Sequence, residues 1–426
     1  MQKMQEGARP RSRSLIAAVI AAALVVAIPA AAKTPPAWHW VTSWGTSQMP
    51  MEPQNELPVA QWQDATLRQI VRLTLGGDKL RVRISNVYGT TPLVIDAAGI
   101  ALAIKPGKAD VDAKTAQPLT FNGKARVMIP AGAEYYSDVV TLPHQAGADL
   151  AISLYFNGAP SKQTGHSGSR TTSFVAKGQR TLDASWAEAE KVTRWYLLAD
   201  VEVQAPRGTA AVVAMGDSIT DGYATTTDGN DRWPDFLAAR LGQENKAIGI
   251  VNGGIGGGRL LRDGSGPNLT SRFDREVLGR AGVSHALMMI GVNDMGVLRR
   301  NGDDTPAARA QLLEDLQLAH RQLVERAHAH GICVIGGTVT PYAGSEYYRP
   351  AAGNEADRVA LNQWIRTSGV FDGVADFDSA LRDPAQPDRL KKELDTGDGL
   401  HPSLAGYKAL ADAVPLKSLQ SCGVAK

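Results

Sequence analysis

The sequence predicts two unlike parts in one chain: an antiparallel β-sandwich followed by an α/β unit whose parallel sheet is covered by helices on both faces. Three observations carry this. Over residues 38–205, short segments alternate apolar and polar side chains and are punctuated by glycine and proline. After Pro206-Arg207-Gly208 the rhythm changes to short apolar runs separated by stretches of helical periodicity. The chain of 426 residues is 43% hydrophobic and 21% charged, enough apolar material for a sizeable core in each part. Lys and Arg total 45 against 43 Asp and Glu, a net charge of +2, so neither a nucleic-acid-binding basic excess nor an acidic tail is present.

Taken in order, the first segment reads as an address. Arg9, Arg11 and Arg13 precede an apolar run at residues 15–28, and Ala30, Ala31 and Ala32 supply an A-x-A-like cleavage site. A membrane-spanning helix needs about 20 apolar residues, so this run is too short to anchor the chain. Residues 1–32 are expected to be a signal peptide, with an exported protein following and no membrane anchor. Loss of that segment takes the net charge from +2 to −1.

Residues 33–205 form the expected β-sandwich. Residues 66–75 and 79–85 both alternate, and Gly76-Gly77-Asp78 lies between them, which predicts a hairpin. Further strands are expected at 93–104, 125–129, 137–142, 150–156, 171–175 and 193–204, with a short helical stretch at 184–190. Trp38, Trp40 and Trp44 suit strand-core or interface packing better than a sugar-stacking platform, because large aromatics are mostly buried.

Residues 206–426 form the expected α/β unit. Strands are predicted at 211–215, 248–251, 285–290, 332–339 and 373–377. Helices are predicted at 233–241, 269–278, 308–330, 355–367 and 403–414. Such sheets place their sites at the carboxyl ends of the strands.

Several motifs drop out. The glycines at 253–258 cannot be read as G-x-G-x-x-G, and there is no phosphate-binding loop and no H-E-x-x-H. His320, His328 and His330 do not share a helix face at ligand spacing and read as solvated. Two cysteines are too few for a thiolate zinc site, and Cys333, in an apolar strand, reads as a packed thiol in preference to a disulfide with Cys422, a pairing that sequence alone leaves open.

Four segments remain, each at or near a strand end. Ser218 follows an apolar strand; alone, it would be a helix cap. The 254–258 glycines allow a backbone N–H to approach a substrate oxygen; alone, they are a tight turn. Gly291-Val292-Asn293-Asp294 offers an amide aimed at developing charge. Asp398 stands three residues before His401, close enough to orient its ring. Together they supply a nucleophile, a base, an orienter for the base, and oxyanion donors beyond the Ser218 N–H. That is the inventory of acyl transfer to water.

Gly216-Asp217-Ser218-Ile219-Thr220, the Gly257 turn, Gly291-Val292-Asn293-Asp294 and Asp398-x-x-His401 resemble, in order across residues 212–414, the four blocks of the SGNH hydrolases, or GDSL esterases and lipases. The resemblance implies a flavodoxin-like three-layer α/β/α fold. It implies Ser218 as nucleophile, His401 as general base and then acid, and Asp398 as the residue holding His401. It further implies an oxyanion hole from the Ser218 N–H, the Gly257 N–H and the Asn293 side chain, and no metal or organic cofactor. Gly256 and Gly258 stay open as alternative donors, although the spacing from Asn252 favours Gly257. The first part resembles the β-rich, jelly-roll-like extension of some secreted bacterial members and brings no catalytic residue.

The expected activity is hydrolysis of short-chain, acetyl-type esters of carbohydrates or other polar alcohols. The substrate preference rests on two loops expected to rim the site. Residues 295–306 carry Arg299, Arg300, Asp303 and Asp304. Residues 341–354 carry Tyr342, Glu346, Tyr347, Tyr348 and Arg349. The alternatives are a lipase or phospholipase, which would need an apolar lid or acyl channel, and a carbohydrate-binding protein with an inactive hydrolase domain.

Overall fold

Alternation along Ala210–Gly216 sets the architecture of the second part. Val213 and Met215 enter one apolar cluster, with Leu269, Phe273, Leu316, Leu323 and Leu361. Val212 and Ala214 enter another, with Trp233, Leu237, Phe377, Tyr407 and Leu410. A strand buried on both faces needs helices on both faces, and the computed structural model, which describes residues 37–422, has them. Five parallel strands run in the order Ile248–Gly254, Ala210–Gly216, Val283–Met289, Cys333–Gly337, Gly373–Ala375. This is the doubly wound order whose reversal falls beside Ala210–Gly216. Residues 1–32, where a signal peptide is expected, lie outside the described residues. Among the described residues no helix is long and apolar enough to cross a membrane.

The first part is rich in antiparallel strands. One sheet carries Trp38–Gly45, Leu198–Pro206, Gly77–Ser85 and Val140–His144, and the other is built on Ala65–Arg72, Asp149–Phe156 and Ser173–Lys177. Leu80, Val82 and Val201 of the first share a single apolar cluster with Leu67, Val71, Ile152 and Leu154 of the second. The hairpin expected around Gly76-Gly77-Asp78 is not formed. Ala65–Arg72 pairs with Asp149–Phe156, whereas Gly77–Ser85 pairs with Leu198–Pro206. The chain arches from sheet to sheet, so that both apolar faces meet inside. Period-two patterning looks the same for an arch as for a hairpin. The arch turns tightly at Gly76, where a Cβ would lie 2.9 Å from the His144 carbonyl oxygen. The helical stretch expected at 184–190 is likewise absent. Its Trp186 instead covers the outer face of the second sheet, with the Arg68 guanidinium 4.2 Å from its ring centroid.

Cys333 is buried, as its strand implied, but it is bonded to Cys422, with a Cα–Cα distance of 5.4 Å. After the helix Leu404–Ala413 the chain returns past the start of strand Cys333–Gly337, a juxtaposition that no local pattern encodes. The bridge closes 89 residues of sequence, and cross-links of this span contribute about 4 kcal/mol by restricting the unfolded chain. Thermal melts with and without reductant should therefore differ by several degrees, the reduced protein melting lower. Coincident melts would show that the bridge contributes nothing to stability.

Candidate active site

The carboxyl edge of the sheet gathers the four segments. Gly216 pairs with Gly254 on one side and Met289 on the other, so the residues following these three strands emerge side by side. The turn after Gly216 is sharp: a Cβ there would lie 2.2 Å from Thr220 Oγ1 and 2.8 Å from the Met289 carbonyl oxygen. Asp217 then caps the short helix Ser218–Asp221 by accepting the Ile219 N–H at 3.0 Å. Burial, reinforced by Asp294 and Asp221, pushes the Asp217 carboxyl up to about 7.

Ser218 stands at the first position of that helix, with Oγ 2.9 Å from His401 Nε2. His401 Nδ1 lies 2.6 Å from Asp398 Oδ2. Asp398 Oδ1 also accepts the N–H groups of Leu400 at 2.9 Å and His401 at 2.8 Å. Burial acts to raise the Asp398 carboxyl, but the His401 ring and these N–H groups outweigh it and hold it well below the usual carboxylate range. An ionised Asp398 places the ring proton on Nδ1 and leaves the Nε2 lone pair facing Ser218. Asp395, the other nearby carboxylate, is engaged with the N–H groups of Gly397 and Gly399 and shapes the loop.

The glycine turn is resolved by its hydrogen bonds. Gly258 N–H is spent on the Ile255 carbonyl at 2.8 Å, and Gly256 N–H on Asp221 Oδ2 at 3.1 Å. Gly257, at φ +69°, keeps an N–H with no partner among the described residues, and so does Ser218. Asn293, buried at the start of helix Val292–Arg300, donates from Nδ2 to the Gly258 carbonyl at 2.8 Å. Its Oδ1 accepts from the Tyr348 hydroxyl at 2.5 Å. These two bonds fix the amide and leave its second N–H free. Burial holds the Tyr348 phenol far above its ordinary range, so it stays a donor. Asp294 accepts the N–H groups of Leu260 at 2.9 Å and Leu261 at 3.1 Å, tying the chain that follows the turn to the same helix.

Sequence reasoning missed several of these contacts. The loop position of Tyr348 predicts a substrate-facing side chain, but it is buried beneath Asn293, and Tyr342 is buried beside it. The loop expected at 295–306 is helical as far as Arg300, and Arg299 is engaged with Asp304 and the Arg349 carbonyl. His320 is not solvated. It packs against Trp364 and Phe371, and burial lowers it to about 4. Tyr223, which no periodicity marks, stacks on His401 with ring centroids 4.0 Å apart. The N-terminal part also reaches the site. Buried His166 lies between the Ser47 carbonyl at 2.9 Å and Asp221 Oδ1 at 2.8 Å, and Asp221 in turn holds the Gly256 N–H beside the Gly257 donor. Of the three early tryptophans, Trp44 is buried edge-on against Trp195, while Trp38 is half exposed.

A nucleophile, its base and unpaired N–H donors at the carboxyl edge of a doubly wound sheet define a serine ester hydrolase. Residues 214–409 match the model of the GDSL-like lipase/acylhydrolase family, and the domain they form belongs to it. Solved structures similar to the chain include a lipolytic protein of the G-D-S-L family from Desulfitobacterium hafniense. It is 23% identical, with 50% of this chain and 99% of that one covered, at a TM-score of 0.37. The lipase/acylhydrolase from Enterococcus faecalis is 20% identical, with 50% and 95% covered, at a TM-score of 0.38. A GDSL-like lipase from Bacteroides thetaiotaomicron is 17% identical, with 51% and 90% covered, at a TM-score of 0.37. No curated protein matches the chain.

Proposed function

We propose that the chain is an exported serine esterase that removes short acyl groups, acetyl above all, from a carbohydrate or another polar alcohol. The observation that carries the chemistry is the relay of 2.9 and 2.6 Å from Ser218 through His401 to Asp398. Ser218 Oγ attacks the ester carbonyl while His401 Nε2 takes its proton, and Asp398 stabilises the resulting imidazolium. The carbonyl oxygen, now an oxyanion, accepts from the N–H groups of Ser218 and Gly257 and from Asn293 Nδ2. His401 returns the proton to the departing alcohol oxygen. A water, deprotonated by the same nitrogen, then attacks the acyl-enzyme and restores Ser218.

Two observations support a short acyl group on a polar alcohol. Tyr223, 44% exposed on His401, offers an aromatic face with polar neighbours. The cavity beside helix Val292–Arg300, lined in part by Leu261, Leu298 and Leu312, includes neither Ser218 nor His401. Export is supported by the pattern of residues 1–32 and by the Cys333–Cys422 bridge, since disulfides persist in oxidising compartments.

The same cavity favours a second reading, a longer-chain acylhydrolase. It measures about 640 Å³ and is lined by Leu261, Val297, Leu298, Leu312 and Leu318, with Arg259, Arg262, Asp294, Asp303 and Asp315 among its polar wall residues. A chain seated there would gain about 0.8 kcal/mol per CH₂. Aryl esters of acetate, butyrate, octanoate and palmitate separate the two. The first reading expects kcat/KM to peak at acetate and fall steeply beyond butyrate. A maximum at octanoate or longer overturns it in favour of the second.

A further inference from the structure

We propose that Arg170, carried by the N-terminal part, binds an anionic group on the alcohol side of the ester. The preferred leaving group is then a polar alcohol bearing a carboxylate or a comparable anion. The inference rests on the reading of Ser218 and His401 as the acyl-transfer pair, and it names the substrate class that pair serves.

The direction of the reaction locates the alcohol. The ester carbonyl oxygen must face the free N–H groups of Ser218, Gly257 and Asn293. The leaving oxygen must face His401 Nε2, which protonates it. Whatever flanks the His401 ring therefore flanks the alcohol. That neighbour is Tyr223, stacked on the ring at 4.0 Å and 29° between planes. The Arg170 guanidinium carbon lies 5.7 Å from the Tyr223 ring centroid. The Tyr223 ring thus contacts both the Arg170 guanidinium and the catalytic histidine.

Arg170 is also uncommitted. Its Nε is buried and without a hydrogen-bond partner, and among the described residues its side chain makes neither a hydrogen bond nor an ion pair. The buried arginines Arg68, Arg232, Arg272 and Arg358 all donate to named acceptors. The carboxylates around Tyr223 are engaged elsewhere: Asp221 with His166, Asp398 with His401, and Asp217 with its own helix. The Tyr407 hydroxyl is spent on the Tyr223 carbonyl at 2.7 Å. A partly buried guanidinium with open donors is unfavourable until an acceptor arrives, and its planar fork matches a carboxylate in two parallel bonds.

The backbone presents Arg170 on purpose-built support. Its φ of +49° lies in the left-handed region, which favours glycine. Asp228 N–H holds the Arg170 carbonyl at 2.8 Å, and the Asp228 carboxylate takes both the N–H and the hydroxyl of Thr172 at 2.7 Å. Arg232 donates to the Ser169 carbonyl on the other side. The segment on either side of Arg170 is thereby pinned to the catalytic part.

The test compares 4-acetoxybenzoate with its uncharged methyl ester, both acetates, on wild type, Arg170→Gln and Arg170→Lys. The expected result is that Arg170→Gln loses at least about tenfold more kcat/KM on the anion than on the methyl ester, mainly through KM, and that Arg170→Lys recovers part of the difference. In the wild type, KM for the anion should rise with ionic strength while KM for the methyl ester stays flat; this readout needs no folded variant. Equal losses on both esters, or a salt-insensitive KM for the anion, would overturn the proposal while leaving the esterase reading intact. Turnover of both esters by Ser218→Ala would instead bring down the esterase reading.

Discussion

Ser218→Ala and His401→Ala should each lower kcat on an aryl acetate by roughly 10⁵–10⁶-fold while leaving the melting temperature close to that of the wild type. The size of the effect follows from the geometry. An alcohol is a poor nucleophile at neutral pH, and Ser218 Oγ is activated only through its 2.9 Å contact with His401 Nε2. Removing either partner removes the whole activated pair, so the double variant should be little worse than either single one. Asp398→Asn should cost less, roughly 10⁴-fold, because the base survives and only its tautomer and orientation suffer. Asp395→Asn should cost far less again, since Asp395 binds backbone N–H groups and not the ring. Stopped-flow kinetics would show the acyl-enzyme burst lost in the Ser218 and His401 variants. Near-wild-type rates in either would remove the assignment, and a larger loss for Asp395→Asn than for Asp398→Asn would move the orienting role.

The residues of this relay were legible in the sequence because each sits within a few positions of a strand end or a helix start. Apolar runs announce those ends, and serine, asparagine, aspartate and histidine announce the chemistry. What supports the relay was not legible. Tyr348 holds Asn293 from 55 positions away, and His166 reaches Asp221 across the same separation. Such pairings are made by tertiary packing and leave no local trace. The helix Val292–Arg300 was hidden by its own glycine. Gly296 reads as a breaker, yet it is there because a Cβ would sit 2.6 Å from the Tyr348 ring. The one faint signal for Tyr348 is its place among three tyrosines in a loop, which predicts exposure. Burial reversed it for Tyr342 and Tyr348, while Tyr347, 60% exposed, fits it. The β-rich part shows the same limit. Its strands were readable from alternation, but their partners were not, since an arch and a hairpin share one pattern.

Asn293→Ala should lower kcat by about 10²–10³ and leave KM within about threefold. The Asn293 amide is fixed at both ends before substrate arrives: Nδ2 donates to the Gly258 carbonyl at 2.8 Å and Oδ1 accepts from Tyr348 at 2.5 Å. Its second N–H is left to meet an oxygen on which charge grows only as the tetrahedral intermediate forms. A donor of that kind binds the transition state better than the ground state, which is why the loss should fall on kcat. Tyr348→Phe tests the same logic one step back. It touches no substrate, but it leaves the buried Oδ1 without its donor and the amide free to turn. It should therefore lower kcat by roughly tenfold, again with little change in KM. Combined with Asn293→Ala it should add almost nothing, because its effect passes through that amide. Additive losses in the double variant would mean that Tyr348 acts on packing alone. A loss confined to KM in Asn293→Ala would make Asn293 a substrate-positioning residue and leave the oxyanion to the two backbone N–H groups.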